Sequence, residues 1–372
     1  MAVKIDPFTL TPGVAGKPYI DCGIADEIIA NFKSEDSSKY VYKITGLRGS
    51  GKSVEYGKVL QTLEKDKNWL VYPLAAEGSC VTALISYLSQ EEFINDKKKE
   101  ISVKTNAIAE AGIPIISGKG SIEVINTYAE NNNYFDKEAV LASMIAKANK
   151  KKLNVLVMID DISKTESTVE LLSILGTMFN RGRRVYLVVS GLSKNIEEFF
   201  TVNKKDPRSE TISKSLSFFR RGDTREVKPL DKFDIASNYE KYLGVDAAEA
   251  KRLYDLTLGY AYAYQVLGSL YFNKKSSEEL EDLIPDYERT LFKSYNLDWP
   301  ELTDREQDFI RSFYKGKTGK AKDTKAHMSN PDAYNMYRDR LIDKHFFSDE
   351  KRGYLQAKLP RFDKFIEIWC NY

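Results

Sequence analysis

The sequence predicts an α/β fold, a doubly wound parallel sheet followed by a helical region and a small mixed tail. Three observations predict it. Four buried-strand runs alternate with helical runs before residue 230. The first run leads directly into a loop holding Gly46, Gly49 and Gly51. From Asp231 onward, helical spacing replaces the strand signal.

The first strand is Tyr40-Val41-Tyr42-Lys43-Ile44-Thr45, made of β-branched and aromatic residues. The loop after it reads Gly46-Leu47-Arg48-Gly49-Ser50-Gly51-Lys52-Ser53, a match to G-x-x-x-x-G-K-[ST]. Val54 opens a stretch to Glu64 with Tyr56, Val59, Leu60 and Leu63 at helical spacing. A glycine-rich turn can match this pattern by chance, but strand, loop and helix in that order are the context of a phosphate-binding loop, or P-loop. The glycines let successive N–H groups point into one concavity. The helix adds its unsatisfied amides and the positive end of its dipole. Residues 46–54 are therefore expected to cradle a nucleotide's phosphates. Lys52 would reach the β- and γ-phosphates, and the Ser53 hydroxyl would ligate Mg²⁺.

Before the loop, residues 1–24 carry prolines at 7, 12 and 18 and form an extended leader, and Ile24–Phe32 is helical. After it come a strand at Trp69–Ala75 and a helix near Val81–Leu88. Residues 101–125 read as a hairpin insertion and Lys137–Lys147 as a helix. Leu153–Ile159 is a continuous apolar run ending in Asp160 and Asp161. Such a run is a central strand covered on both faces, with its acids at the ligand edge. This is a Walker B pattern: Asp160 would hold Mg²⁺ and Asp161 would orient water or act as base. Arg184–Gly191 is a further strand. Its Ser190 either senses the γ-phosphate and attacking water or caps the next helix. Arg220 and Arg221 either reach the γ-phosphate, in cis or from a neighbouring subunit, or are surface arginines beside a strand.

Past Asp231, helices are expected at Phe233–Leu243, Ala247–Leu258 and Tyr260–Phe272, with Tyr260, Tyr262, Tyr264, Tyr271 and Phe272 in a lid core. Ser276-x-x-Glu279 and Thr303-x-x-Glu306 read as capping boxes, the first opening a helix to about Phe292. From 300 the order is helix, Lys-rich turn, short helix, helix at Asp332–Asp343, and two strands around 349–353, the order of a winged helix. In its second main helix, Ala333, Met336, Tyr337 and Leu341 would face inward. Asn335, Arg338, Lys351 and Arg352 would face outward, a plausible surface for double-stranded DNA or a protein partner. The division expected is 1–230, 231–299 and 300–372.

Composition limits the alternatives. A formal net charge of +2 gives no global argument for nucleic acid, so any such site is a local patch. Three scattered cysteines and two histidines argue against disulfides, zinc and His-based catalysis, and fit a reducing cytoplasm. No apolar run approaches a membrane span.

Several stretches together carry a family resemblance: "TGLRGSGKS", "VLVMIDD", "VVSGLSKNI", "LSFFRRG", "GYAYAYQVLG", "YRDRLIDKHFF" and the leader "DPFTLTPGVAGKP". The chain resembles the bacterial and archaeal AAA-type ATP-binding proteins related to origin-recognition and STAND ATPases. The resemblance implies a P-loop NTPase domain, a helical lid and a C-terminal winged helix, with ATP/ADP and Mg²⁺ as ligands and a nucleotide-dependent oligomer as one arrangement. Two positions depart from the pattern. Asp161 stands where glutamate is usual, and Ser53 where threonine is usual. A base displaced by about 1 Å loses rate, so hydrolysis is expected to be slow. The main alternative is a nucleotide-gated DNA-binding or signalling adaptor with negligible turnover. A small-molecule phosphotransferase is disfavoured, because no acceptor-pocket motif is present, and adenine is expected rather than guanine.

Overall fold

The computed structural model describes residues 5–36, 38–94, 137–202 and 209–369. The hairpin expected at 101–125 lies outside them. Strands β1 (Val41–Thr45), β2 (Trp69–Leu74), β3 (Asn154–Ile159), β4 (Val185–Gly191) and β5 (Asp223–Glu226) form one parallel sheet. Their order is β2-β3-β4-β1-β5, so β4 lies between the P-loop strand and the strand ending in the two acids.

Side-chain alternation builds a core on each face. Val155, Val157 and Ile159 of β3 and Val185, Leu187 and Val189 of β4 meet α3 (Cys80–Ser89), α4 (Lys137–Lys150) and α5 (Glu166–Asn180). Leu156, Met158, Tyr186 and Val188 point the other way, toward α1 (Ile24–Lys33) and α2 (Lys52–Leu63). With both faces covered, these strands need no polar side, which is why the sequence shows unbroken apolar runs. Three short helices, α6 (Ser193–Glu198), α7 (Ser209–Ser215) and α8 (Ser217–Arg220), bridge β4 to β5.

The helical region comprises α9 (Lys232–Leu243), α10 (Ala247–Thr257), α11 (Ala261–Asn273) and α12 (Leu280–Asp298). Asp231 caps α9 by accepting from the amides of Phe233 and Asp234. The box expected at Ser276–Glu279 is replaced by one at Glu279 and Asp282, and α12 runs on to Asp298. The cause is local: the Lys275 amide donates to the Glu278 carboxylate at 2.7 Å, closing a separate turn around Ser276. The extended leader lies across this region. Phe8 is buried against Tyr239 and Tyr264, and a Cβ on Gly268 would stand 2.2 Å from its ring.

The tail contains α13 (Asp304–Gly316), α14 (Ala321–Lys325), α15 (Tyr334–Asp343), the antiparallel pair β6 (Phe347–Ser348) and β7 (Gln356–Ala357), and α16 (Phe362–Trp369). The Thr303–Glu306 capping box is present. In α15, Tyr334 and Leu341 are buried, whereas Met336, expected inside, is 44% exposed. A 3₁₀ turn at Pro331–Ala333 precedes the helix, and its tighter winding shifts the inward face. Phe362 and Phe365 of α16 pack on Tyr295 of α12 with centroids 5.1 and 5.7 Å away. Leader, lid and tail thus share one apolar core.

Glu306 is almost fully buried, caps α13 and meets Lys344 at 2.6 Å. Glu306→Ala should cost about 1–3 kcal/mol by removing a cap and stranding the lysine. A lowered thermal midpoint, restored in part by Glu306→Gln, checks this; an unchanged midpoint contradicts it.

Candidate functional site

The parallel register brings two strand ends to one edge. Ile44 of β1 pairs with Ser190 of β4, and Ile159 of β3 pairs with Val189. One residue further, Asp160 lies beside Ser190. The P-loop leaves the same edge after Thr45, and its last glycine, Gly51 (φ 107°), is the N-cap of α2. That left-handed conformation strains any residue with a Cβ. Among the described residues the amides of Gly49, Gly51, Lys52 and Ser53 have no hydrogen-bond partner, and the buried Ser50 hydroxyl has none either. A loop presenting free donors in this way fits a polyphosphate.

Loop, acids, leader and lid enclose a cavity of about 480 Å³, which is the size of a small-molecule site. Its lining includes Lys52, Ser53, Asp160, Asp161 and Ser190. The Lys52 ammonium is buried and donates to the carbonyls of Gly46 (3.1 Å) and Leu47 (2.7 Å). Burial lowers its pKa to about 8, although Asp161 pulls the other way. The Ser190 hydroxyl donates to Asp160 Oδ1, and the Asp161 amide donates to Asp160 Oδ1 (3.1 Å) and Ser190 Oγ (3.2 Å). Ser190 therefore braces the acid-bearing turn and caps no helix. Asp161 has φ 49°, a conformation costly for residues other than glycine and best tolerated by Asp and Asn. Its exposed carboxylate is aimed by that turn.

Metal-ligating residues form no cluster of three among the described residues. Mg²⁺ commonly takes one or two protein ligands together with substrate phosphates. Ser53 and Asp160, both on the cavity wall, fit that pattern.

Arg220 and Arg221 stand elsewhere. They precede β5, whose first residue pairs with Tyr42, while the P-loop follows the other end of β1. At roughly 3.3 Å per residue, the strand separates them from the loop by on the order of 15 Å. Arg220 donates to Ser213 Oγ at 2.5 Å and lies over the Phe200 ring. This geometry argues against reach to the γ-phosphate in cis; it is compatible with surface arginines beside a strand and with delivery by a neighbouring copy.

The lid and leader supply residues the motifs did not single out. The Tyr260 hydroxyl donates to the Arg48 carbonyl, and the Tyr262 amide donates to the Gly49 carbonyl at 3.0 Å. A Cβ on Gly49 (φ 75°) would sit 2.6 Å from the Tyr260 oxygen, so only glycine allows this approach. Leu10 and Val14 of the leader are apolar, half-exposed and face the cavity. Their signal in the sequence was faint, because an extended segment has no periodicity to read. In the tail, Asn335, Lys351 and Arg352 are exposed, and Arg338 pairs with Asp339 at 2.6 Å.

No protein-family model and no curated protein matches the chain. Among solved structures it is similar to a Walker-type ATPase of Pyrococcus abyssi, with 14% identity, 97% of this chain and 99% of that chain covered, and a TM-score of 0.65. It is also similar to Cdc6p from Pyrobaculum aerophilum, at 12% identity, 92% and 91% coverage and a TM-score of 0.38. A third neighbour is a STAND protein with a tetratricopeptide-repeat sensor from Pyrococcus horikoshii, at 14% identity and a TM-score of 0.38, covering 99% of this chain and 44% of that one. The first likeness shows the fold; the other two are too distant to carry an argument. The architecture is that of a P-loop NTPase with a helical C-terminal region. No helix among the described residues is long and apolar enough to cross a membrane.

A bound polyphosphate favours the charged form of Lys52, so its pKa in the complex lies above the free value of about 8. Binding then takes up a proton above pH 8, and affinity should fall with rising pH there by up to about tenfold per unit. Titrating Mg²⁺ and a non-hydrolysable ATP analogue from pH 7 to 9.5 checks the slope. A flat profile, or the same slope in Lys52→Met, contradicts it.

Proposed function

We propose that the protein binds ATP with Mg²⁺ and hydrolyses it slowly, and that the nucleotide state controls the packing of lid and tail. The observation that carries this reading is the convergence of Lys52, Ser53, Asp160, Asp161 and Ser190 on one cavity beneath a loop of free amides. The loop and Lys52 would hold the phosphates, with Gly46 to Ser53 as the cradle and Val54 in the first turn behind it. Ser53 and Asp160 would hold Mg²⁺, which when bound offsets charge on the β- and γ-phosphate oxygens. Asp161 orients a water in line with the γ-phosphorus. The water's oxygen bonds to phosphorus as the bond to the bridging oxygen breaks, giving ADP and phosphate. Ser190 keeps the two carboxylates in register through its contacts to both residues. Leu10 and Val14 form an apolar wall suited to the flat face of a base.

The same residues support slow turnover. Asp161 is one methylene shorter than glutamate, and its position is tied to a strained turn, so little freedom is left to reach a water. Arg220 and Arg221 enter this reading only as groups supplied in trans by a nucleotide-dependent oligomer.

A second reading concerns the tail. Its helices and hairpin have the winged-helix order, and Lys351 and Arg352 are exposed at the hairpin tip. They fit docking of duplex DNA in the ATP-bound state. Salt-dependent binding should weaken in Lys351→Ala/Arg352→Ala, with the logarithmic salt slope reduced by about two. No binding at low salt removes the DNA version.

Phosphate release from Mg²⁺–ATP tests the central reading. Wild type should turn over, Lys52→Ala should not, and Asp161→Asn should lose about 100-fold or more. Equal turnover in wild type and Lys52→Ala rejects the assignment.

A further inference from the structure

We propose that the Arg48 guanidinium distinguishes a nucleoside triphosphate from a diphosphate at this site, and that Asp298, at the end of α12, is the carboxylate it leaves in doing so. This inference rests on the nucleotide reading above and adds to it a recognition residue and a route to the tail.

The charge inventory comes first. Arg48 and Lys52 are the cations on the cavity wall among the described residues. The lid's contribution to that wall, including Tyr262, Gln265 and Ser294, is uncharged. Lys52 is buried and already anchored to the loop carbonyls. Mg²⁺ would offset part of the charge a γ-phosphate adds, and of the two side-chain cations on the wall Arg48 is the one not already anchored to the loop carbonyls.

Geometry makes Arg48 free to move. Its side chain is partly exposed, and it holds Asp298 through Nε alone, at 3.0 Å. Its two terminal nitrogens have no hydrogen-bond partner among the described residues. A guanidinium binds best through paired donors, as a fork on a carboxylate or phosphate. Here the fork is open, and moving it sacrifices a single contact.

The consequence falls on Asp298. Its carboxylate is largely buried, and burial raises its pKa even with Arg48 beside it. Without the arginine it must protonate or move. It is the last residue of α12, and the next residue, Trp299, accepts from Gln307 of α13 at 3.0 Å and faces Phe362 and Phe365 of α16. Lys344 and Phe346 of the tail border the same junction. Release of Asp298 is thus felt where lid meets tail.

The test measures affinities of the full chain for Mg²⁺ with AMP-PNP and with ADP, together with hydrogen exchange over residues 296–302. Arg48→Ala should weaken AMP-PNP binding about tenfold or more while ADP changes less than about threefold. Arg48→Lys should fall between. Asp298→Asn, which frees the arginine, should bind AMP-PNP several-fold more tightly. Exchange at 296–302 should rise with AMP-PNP and not with ADP, and not at all in Arg48→Ala. Equal loss for both nucleotides, or no loss, in Arg48→Ala overturns the assignment. So does unchanged AMP-PNP affinity in Asp298→Asn, a variant that retains Arg48 if the alanine form fails to fold. Tight nucleotide binding in wild type with any of these failures leaves the site reading intact. Absence of nucleotide binding in wild type overturns both.

Discussion

The arrangement of the site depends on the placement of β4 between β1 and β3. Two parallel pairings put Ile44, Ser190 and Asp160 in one row across the sheet edge. Two strand spacings, roughly 10 Å, then separate the origin of the glycine loop from the acids. That span leaves room for a metal-bound phosphate between them. The row is held by the burial of β3 and β4 beneath helices on both faces, where a one-residue slip would exchange the side chains fitted to one helical layer with those fitted to the other.

The second half of the chain contributes to the site by contact with backbone. Tyr260 and Tyr262 take up loop carbonyls, and Arg48 reaches to Asp298. The leader adds a wall and is itself pinned to the lid: the Tyr264 hydroxyl donates to the Pro18 carbonyl at 2.9 Å, and the Thr9 amide to Gln265 at 3.0 Å. A ligand in the cavity therefore touches three stretches distant in sequence. Because lid and tail share a core, a shift in one is resisted or transmitted by the other.

The parts legible in sequence are those with a strong local cause. The P-loop, the run ending at Asp160 and the Thr303 box each combine a special backbone need with a residue type that meets it. Harder to read were features set by tertiary packing. Met336 turned outward because a 3₁₀ turn changed the phase of α15. Arg220 and Arg221 follow an apolar stretch and resemble a catalytic pair, but the strand after them carries the chain toward the site only later. Leu10, Val14 and Asp298 had no motif to mark them; the P-loop residues they meet or face lie more than thirty residues away in the chain, and only the fold brings them together.

The most direct test of the central claim is a structure of the chain with Mg²⁺ and AMP-PNP. The account predicts the β- and γ-phosphates on the amides of 49–53, with the metal between Ser53 and Asp160. A nucleotide bound anywhere else, or phosphates beyond reach of Lys52, would contradict it.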